Sequence, residues 1–297
     1  MLQTRTLTAN GQSLFVRTVG RPEAPFVLFL HGFPEYGGAW DHILPRFADV
    51  AFAAAPDQRG YGLSSKPAGV DAYKAQHLAQ DMLALADSLA PGRPIHLVGH
   101  DWGASVAYLM AFIAPKRIAN LVIINGVHPV PFQRALIHDP EQRAASQYIR
   151  FLRRPDAAEK LLADSCARTL GLLTNGFGAG RWLTDDLKAG YLAAWQQPGA
   201  MEGMTAWYKA TPLVVPEIGE TITTDPLARL DPAMLQVRMP HLVIWGLEDK
   251  ALRPSCRVGL EAFAPGMRTI DVPDADHWIV HQQPDLVATE IRRFFGL

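Results

Sequence analysis

The sequence Gly-His-Asp-Trp-Gly at residues 99–103 is the clearest candidate for chemistry in this chain. An apolar strand pattern leads into it and a helical pattern follows, which is the strand–turn–helix context of a nucleophile elbow. Glycines suit such a tight turn because they have no Cβ to collide with neighbouring chain. The central Asp101 could attack carbon and form an ester. No Gly-x-Ser-x-Gly occurs in the chain, which disfavours a serine esterase, although an Asp between glycines is also typical of a turn or a helix N-cap.

Two later residues could complete a triad with Asp101. His277 follows the last predicted strand and Asp249 follows the one before it, which is the chain order nucleophile, acid, histidine. A carboxylate at 249 could hold the imidazole in the tautomer that accepts a proton from water. Glu248 is the competing acid and is interpreted as a solvated neighbour. His277 and His281, four residues apart, could instead form a metal pair, but the Glu of His-Glu-x-x-His is missing.

Alternating strand and helix patterns predict the elements that must position these residues. Asn10-Gly11, between Leu7 and Leu14, predicts a hairpin. Strand-like runs lie at 26–30, 50–55, 95–98, 121–124, 241–245 and 269–272, and helical patterns at 78–89, 104–113, 256–263 and 286–295. This alternation predicts an α/β fold with a mostly parallel, doubly wound sheet.

The segment 129–223 interrupts that rhythm and predicts a separate unit. Its periodic pieces, at 144–152, 157–162 and 186–195, are helical. We expect an insertion at the carboxyl edge of the sheet, where ligands bind in open α/β sheets. The expected division is a core domain of residues 1–128 and 224–297 and a helical cap domain of residues 129–223. The glycine cluster at 176–180 follows no buried strand and is interpreted as a flexible cap loop rather than a phosphate loop.

Composition narrows the class of protein. The chain has 297 residues, of which 48% are hydrophobic and 19% charged, and this excludes a disordered chain. A formal net charge of -1 makes nucleic acid an unexpected partner. No apolar run approaches the roughly 20 residues that span a bilayer, and the start of the chain lacks a secretory signal pattern. The two cysteines form no ligand spacing or disulfide framework. We therefore expect a cytoplasmic protein without membrane partners or metal.

Several segments resemble one family. His-Gly-Phe-Pro-Glu at 31–35, Arg-Gly-Tyr-Gly-Leu-Ser at 59–64, the elbow at 99–103 and the Gly-x-x-Asp at 246–249 are similar to motifs of the epoxide hydrolase and haloalkane dehalogenase branch of the α/β-hydrolase superfamily. The likeness runs from about residue 7 to the C-terminus and is closest to soluble epoxide hydrolases. It implies an α/β-hydrolase fold with a helical cap inserted after the fourth core parallel strand. Asp276 departs from the family, which often has Gly before the histidine.

The resemblance also implies roles for individual residues. The backbone N–H groups of Phe33 and Trp102 would form an oxyanion hole, and His31 would shape its loop. Tyr148 and Tyr208 resemble the two ring-opening tyrosines of soluble epoxide hydrolases, although a cap tyrosine could equally pack as an amphipathic core residue. We expect a substrate pocket lined by Pro34, Trp102, Phe151, Trp182 and Trp278.

The expected function is cofactor-independent hydrolysis of a small-molecule epoxide to a vicinal diol. Asp101 would form an ester that water, activated by His277 and Asp249, would hydrolyse. A dehalogenase is the alternative, with Trp102 and a cap tryptophan, Trp182 or Trp195, as halide donors; however, position 33 is Phe where some dehalogenases have Asn.

Other features weaken the alternatives. Fluoroacetate dehalogenases have arginines where this chain has Trp102 and Ser105. A substrate carboxylate would therefore lack the arginines that bind it in those enzymes. Some dehalogenases place the acid after the fourth core strand, where residues 124–129 offer no carboxylate. A non-catalytic, ligand-binding α/β-hydrolase fold is the remote alternative.

Overall fold

One eight-stranded sheet organises the protein. The structure, a computed structural model, describes residues 1–222, 227 and 230–297. The strands are β1 Gln3–Ala9, β2 Gln12–Val19, β3 Phe26–Leu30, β4 Phe52–Pro56, β5 Ile95–His100, β6 Ile118–Ile124, β7 His241–Gly246 and β8 Arg268–Val272. Their order is β1-β2-β4-β3-β5-β6-β7-β8. The pairs β1–β2 and β2–β4 are antiparallel and all others are parallel. The predicted α/β fold with a mostly parallel sheet is confirmed.

The apolar strand runs are explained by burial on both faces of the sheet. In β3, Phe26, Leu28 and Leu30 point into one hydrophobic cluster and Val27 and Phe29 into the other. Since parallel strands are covered by helices on both sides, they read as continuous apolar runs rather than as alternating patterns. At the edge of the sheet, the predicted hairpin turns at Asn10-Gly11, where Ala9 pairs with Gln12.

In the part of the chain that the structure describes, ten helices connect and cover the strands. They are α1 Ala75–Leu89, α2 Trp102–Ile113, α3 Pro129–His138, α4 Pro140–Ala145, α5 Gln147–Leu152, α6 Ala157–Gly171, α7 Asp185–Trp195, α8 Ala200–Ala210, α9 Ile279–Gln282 and α10 Pro284–Phe295. Helices α3 to α8 all lie between β6 and β7, after the fourth strand of the parallel set; we call them the inserted helices. Within the described ranges, no helix has the length and apolar character needed to cross a bilayer.

The structure differs from the expected elements in two places. The segment 256–263 forms 3₁₀ turns at Pro254–Arg257 and Leu260–Ala262 instead of an α-helix, because Val258 is extended and Gly259 has a φ of 82°. The expected helix at 144–152 is broken at Ser146 into α4 and α5. The expected cap boundary at 223/224 lies outside the described residues.

Candidate active site

Asp101 lies at a sharp turn between β5 and α2. Its φ of 50° and ψ of −118° are strained values for a residue with a side chain. A Cβ on Gly103 would lie 2.2 Å from the carbonyl oxygen of Leu30, and one on Gly99 would lie 2.5 Å from that of Gly103. Only glycine therefore fits at both positions. Although Asp101 precedes α2, its side chain accepts no capping hydrogen bond from the N–H of the second or third residue of the helix, so the N-cap interpretation does not account for this carboxylate.

Two backbone amides point at the Asp101 carboxylate. The Phe33 N–H donates to Oδ1 at 2.7 Å, and the Trp102 N–H also hydrogen-bonds the carboxylate. A Cβ on Gly32 would lie 2.3 Å from the Cβ of Asp101, so the glycine lets the loop approach this closely. Both amides predicted to be oxyanion donors therefore face the Asp101 carboxylate.

His31 holds the loop in this position. Its Nε2 accepts the Gln58 N–H at 3.1 Å, which leaves Nδ1 to donate to the Gly32 carbonyl at 2.9 Å. Burial lowers the pKa of this histidine, so the ring is neutral. Its contacts are those of a structural residue.

His277 lies between two carboxylates. Its Nδ1 is 2.7 Å from Oδ2 of Asp249, and its Nε2 is 3.7 Å from Oδ2 of Asp101. The Nε2 atom is buried and has no hydrogen-bond partner among the described residues. The competing acid, Glu248, is exposed. The structure therefore brings the three predicted triad residues together, with one imidazole nitrogen free beside the Asp101 carboxylate.

The charges of this cluster are coupled. Burial opposes the charged imidazole, yet the charge and hydrogen bond of Asp249, together with the charge of Asp101, raise the pKa of His277 to about 9. Burial also raises the pKa of Asp101, against the opposing effects of His277, His100 and the two amides. At neutral pH the free site therefore holds an imidazolium between carboxylates.

Asn125 is a residue of this cluster that the sequence analysis missed. It follows β6, and its Nδ2 donates to Oδ2 of Asp249 at 2.7 Å while its Oδ1 accepts the Gly246 N–H at 2.8 Å. The other Asp249 oxygen accepts the N–H groups of Ala251 and Leu252, each at 2.8 Å. The signal was present in the sequence, because Asn125 occupies the strand end where some dehalogenases have their acid.

Removing the Asn125 side chain should loosen Asp249 and, through it, His277. For Asn125→Ala we expect an unfolding free energy lower by about 1–3 kcal/mol, because buried polar groups lose their partners. We also expect the second chemical step proposed below to slow by roughly tenfold as the imidazole loses its fixed orientation. Urea unfolding and single-turnover kinetics measure the two effects. Asn120→Ala is the matched control, since Asn120 bonds His96 elsewhere on β6; equal slowing in both variants would contradict the positioning role.

Tyr208 is delivered to the site by α8. A Cβ on Gly203 would lie 2.7 Å from the Gly60 Cα, so this helix packs directly against the loop after β4. The Trp207 indole N–H donates to the carbonyl oxygen of Arg59 at 3.0 Å. The next side chain, Tyr208, then meets the rings of Phe33 and Trp102, each with its centroid 5.1 Å away.

Tyr148 lies at the start of α5, just after the break at Ser146, and this helix places it in the site. The Gln142 side chain donates to the Ser146 hydroxyl and to the Ala251 carbonyl, both at 2.8 Å. Since Ala251 also binds Asp249, the start of α5 is tied to the loop that carries the acid. The break that the sequence did not predict thus fixes the placement of Tyr148.

The two phenols lie next to each other. The ring centroids of Tyr148 and Tyr208 are 6.1 Å apart, and the Trp102 ring packs edge-on against Tyr208. Both line the same cavity as Asp101. Burial, assisted by the negative charge of Asp101, raises the pKa of both well above the ordinary value. Both phenols therefore keep their protons at neutral pH.

A second buried network lies behind His277. The Glu35 carboxylate is hydrogen-bonded to Nδ1 of His100 at 2.9 Å and to Nε2 of His281 at 2.7 Å. It also accepts a hydrogen bond from the Tyr191 hydroxyl at 3.1 Å. His100 in turn bonds the carbonyl oxygen of His277 at 2.8 Å. His281 and His277 thus have different carboxylate partners. In the described part of the chain, no group of three or more potential ligands could hold a metal ion.

A cavity of about 250 Å³ opens beside Asp101. Of the five expected pocket residues, only Trp102 lines it. The Pro34 carbonyl accepts the Trp195 indole N–H, and Phe151 stacks under the Arg168 guanidinium at 4.7 Å. The other two aromatic residues pack on histidines: Trp182 stacks on His281 at 4.0 Å, and Trp278 meets the His277 ring at 4.8 Å. The lining therefore differs from the expected one at four positions.

Phe177 is a further contact that the sequence did not suggest. It lies in the glycine cluster, and its ring is 5.5 Å from His277 and 4.7 Å from Tyr148. Asp276 holds this loop, because its Oδ2 accepts the Ala179 N–H at 2.6 Å and a Cβ on Gly178 would lie 2.3 Å from its Cγ. The departure from the family glycine at 276 thus anchors a loop over the histidine.

Known proteins share this fold and these motifs. The sequence profile of the α/β hydrolase fold matches residues 25–284. The chain is 33% identical to the AB hydrolase superfamily protein YfhM of Bacillus subtilis, over 95% of this chain and 93% of that protein. It is 31% identical to Epoxide hydrolase 4 of Mus musculus, over 90% of this chain and 72% of that protein.

Solved structures of epoxide hydrolases have the same fold as this chain. A structure from work on novel epoxide hydrolases in metagenomes from hot environments superposes with a TM-score of 0.90 and 34% identity over 99% of both chains. The inhibitor complex of a Bacillus megaterium epoxide hydrolase gives a TM-score of 0.85 and 26% identity, over 99% of this chain and 100% of that chain. The chain belongs to the α/β-hydrolase superfamily, and the predicted resemblance to its epoxide hydrolases is confirmed.

Proposed function

We propose that this protein is an epoxide hydrolase that converts an epoxide to a vicinal diol through an ester on Asp101. The observation that carries the proposal is the pair of protonated phenols, Tyr148 and Tyr208, lining one cavity with a carboxylate that is already bound by two amides. Opening an epoxide produces an alkoxide, which needs such acidic O–H donors. The names of the relatives support the same substrate class.

The first step forms the ester. An Asp101 carboxylate oxygen attacks one oxirane carbon, and the C–O bond to the ring oxygen breaks. Tyr148 and Tyr208 hydrogen-bond that oxygen, and one of the two phenols transfers its proton to it as the ring opens. Solvent returns a proton to the resulting phenolate. The imidazolium of His277, charged in the free site because its pKa is about 9, releases its proton to solvent once the charge of Asp101 is lost.

The second step releases the diol. Ester formation neutralises Asp101 and removes one of the charges that hold the proton on His277. The neutral imidazole, oriented by Asp249, takes a proton from water, and the hydroxide attacks the ester carbonyl. The Phe33 and Trp102 amides stabilise the resulting oxyanion, where one such donor contributes ~3 kcal/mol. Collapse of this intermediate restores the Asp101 carboxylate and the imidazolium.

A dehalogenase is less well supported. Halide departure needs N–H donors facing the nucleophile, and neither Trp182 nor Trp195 is placed to supply one. The Trp195 indole donates to the Pro34 carbonyl at 2.5 Å, and the Trp102 ring packs edge-on against that of Tyr208 with centroids 5.1 Å apart. Trp182 stacks on His281 and lies outside the cavity. Ser105 lines the cavity where fluoroacetate dehalogenases have a cation.

We further propose that residues 129–223 form a cap domain over a core of residues 1–128 and 224–297. Helices α5 and α8 supply Tyr148 and Tyr208, whereas the core supplies the triad and both oxyanion donors. A non-catalytic binding protein would not need this division, in which each half holds only part of the chemistry.

The test is product analysis on matched substrates. We expect diol from styrene oxide and other small epoxides, and little or no halide from bromo- and chloroalkanes of the same size. In a single turnover in heavy-oxygen water, the label should enter the peptide containing Asp101 and not the diol, because the diol oxygen comes from the carboxylate. Halide release faster than diol formation, or label in the first diol, would overturn the proposal.

A further inference from the structure

The cavity beside Asp101 extends along one helix. Its wall includes Trp102, Ser105, Leu109 and Phe112, which lie on one face of α2 at spacings of three and four residues. From Trp102 to Phe112 the helix rises by about 15 Å. The cavity is therefore a channel along α2, with Asp101 beside Trp102 at one end of this row and Phe112 at the other.

The remaining wall of the channel is apolar. Pro129 and Phe132 of α3 and Leu213 beyond α8 line it opposite α2. Among the described residues that line it, Asp101 is the only charged one. A channel of this composition favours a hydrocarbon substituent, because beyond Asp101, Trp102 and the two phenols the only polar side chains among its described lining residues are those of Ser105 and Thr211.

The space beside His277 is filled by aromatic rings. Phe177 covers His277 and Tyr148 at 5.5 and 4.7 Å, and it also meets Trp278 at 6.0 Å. Trp182 packs against Trp278 at 5.7 Å. None of these three aromatic residues lines the cavity. A substituent on the far oxirane carbon would have to displace this packed cluster.

We propose that the substrate is a terminal epoxide with a single elongated apolar substituent, which lies along α2 while the unsubstituted end of the ring faces Phe177. This inference rests on the proposed function. A void of about 150 Å³ already holds benzene, so about 250 Å³ takes an aryl group or a medium alkyl chain. Leu109, Phe112 and Phe132 set the length that fits.

The first test is a series of epoxides with wild-type protein. Each methylene that the channel buries should raise kcat/KM roughly fourfold, so kcat/KM should increase from butene oxide to octene oxide and level off for longer chains. Styrene oxide should exceed trans-stilbene oxide by roughly a hundredfold, because stilbene oxide carries two aryl groups. Diol formation without any dependence on chain length, or equal turnover of both aryl epoxides, would overturn the inference while leaving the proposed function intact. No diol from any of them would overturn the proposed function itself.

The second test fills the channel. Leu109→Trp should lower the ratio of kcat/KM for octene oxide to that for butene oxide by roughly tenfold or more. Ile113→Trp is the matched control, since Ile113 follows on the same helix, is 48% exposed and does not line the cavity; its ratio should equal that of the wild type. Phe132→Ala enlarges the channel and should increase the length of the alkyl chain that is turned over best. This variant keeps the test valid if Leu109→Trp does not fold. An unchanged ratio in Leu109→Trp or Phe132→Ala contradicts the proposal.

Discussion

His277→Gln is expected to accumulate an ester on Asp101 that the wild-type protein hydrolyses in each turnover. Asp101 needs no base to be ionised at about pH 8, and its Oδ1 remains bound by the Phe33 amide at 2.7 Å. Ring opening should therefore continue, while loss of the base should slow ester hydrolysis by ~10²–10⁴-fold. Intact-protein mass spectrometry should show a gain equal to the whole epoxide, since ring opening expels no leaving group.

The mass gain must map to one peptide. After proteolysis we expect it on the peptide that contains Asp101, and the double variant Asp101→Asn, His277→Gln should show none. A wild-type protein that forms diol together with a His277→Gln variant that forms no adduct would favour direct attack of water on the epoxide. Asp101 would then be a base rather than the nucleophile.

The same intermediate should change the titration of His277. In the free site, burial lowers its pKa but the charges of Asp249 and Asp101 outweigh this and raise the value to about 9. Because the ester has no charge at residue 101, we expect ester hydrolysis in the wild type to show an apparent pKa clearly below that of the free protein. Single-turnover kinetics across pH give the first value and histidine NMR of the free protein gives the second. Equal values would show that Asp101 keeps its charge and is not esterified.

Local sequence signals were sufficient for the elbow and the triad. The turn at Asp101 needs a strand, two glycines and a helix within a few residues, and all of these are visible in the chain. The order of Asp249 and His277 follows from the order of the last two strands. The inserted segment was predicted from the break in the strand–helix rhythm, and Tyr148 and Tyr208 from their resemblance to the ring-opening tyrosines of soluble epoxide hydrolases.

Features that depend on contacts between distant segments could not be predicted from local sequence patterns. Asn125 matters only because β6 and β7 are neighbours, so that its amide reaches Asp249. Trp182 and Trp278 are large aromatic residues of the kind that line pockets, but they pack on His281 and His277 instead. The periodicity of the sequence does not predict where these histidines lie. The break between α4 and α5, which sets the start of the helix that carries Tyr148, was not predicted either.

The double substitution Tyr148→Phe, Tyr208→Phe should nearly abolish epoxide opening while the protein remains folded. The rings keep their contacts with Phe177, Phe33 and Trp102, so circular dichroism should match that of the wild type. Each single variant should lose roughly a hundredfold of the rate of ester formation. The double variant should lose more than either, since no phenol is left for the alkoxide.

Tyr191→Phe is the matched control for this loss. Tyr191 is also a buried tyrosine of the inserted helices, but its hydroxyl bonds Glu35 and it does not line the cavity. Its substitution should alter stability without removing ester formation. A halide, in contrast to an alkoxide, is a weak base that does not need a proton, so a dehalogenase would be little affected by loss of both phenols. If the double variant opens styrene oxide at the wild-type rate, the phenols are packing residues, and the donor to the ring oxygen must be sought beside Trp102 instead.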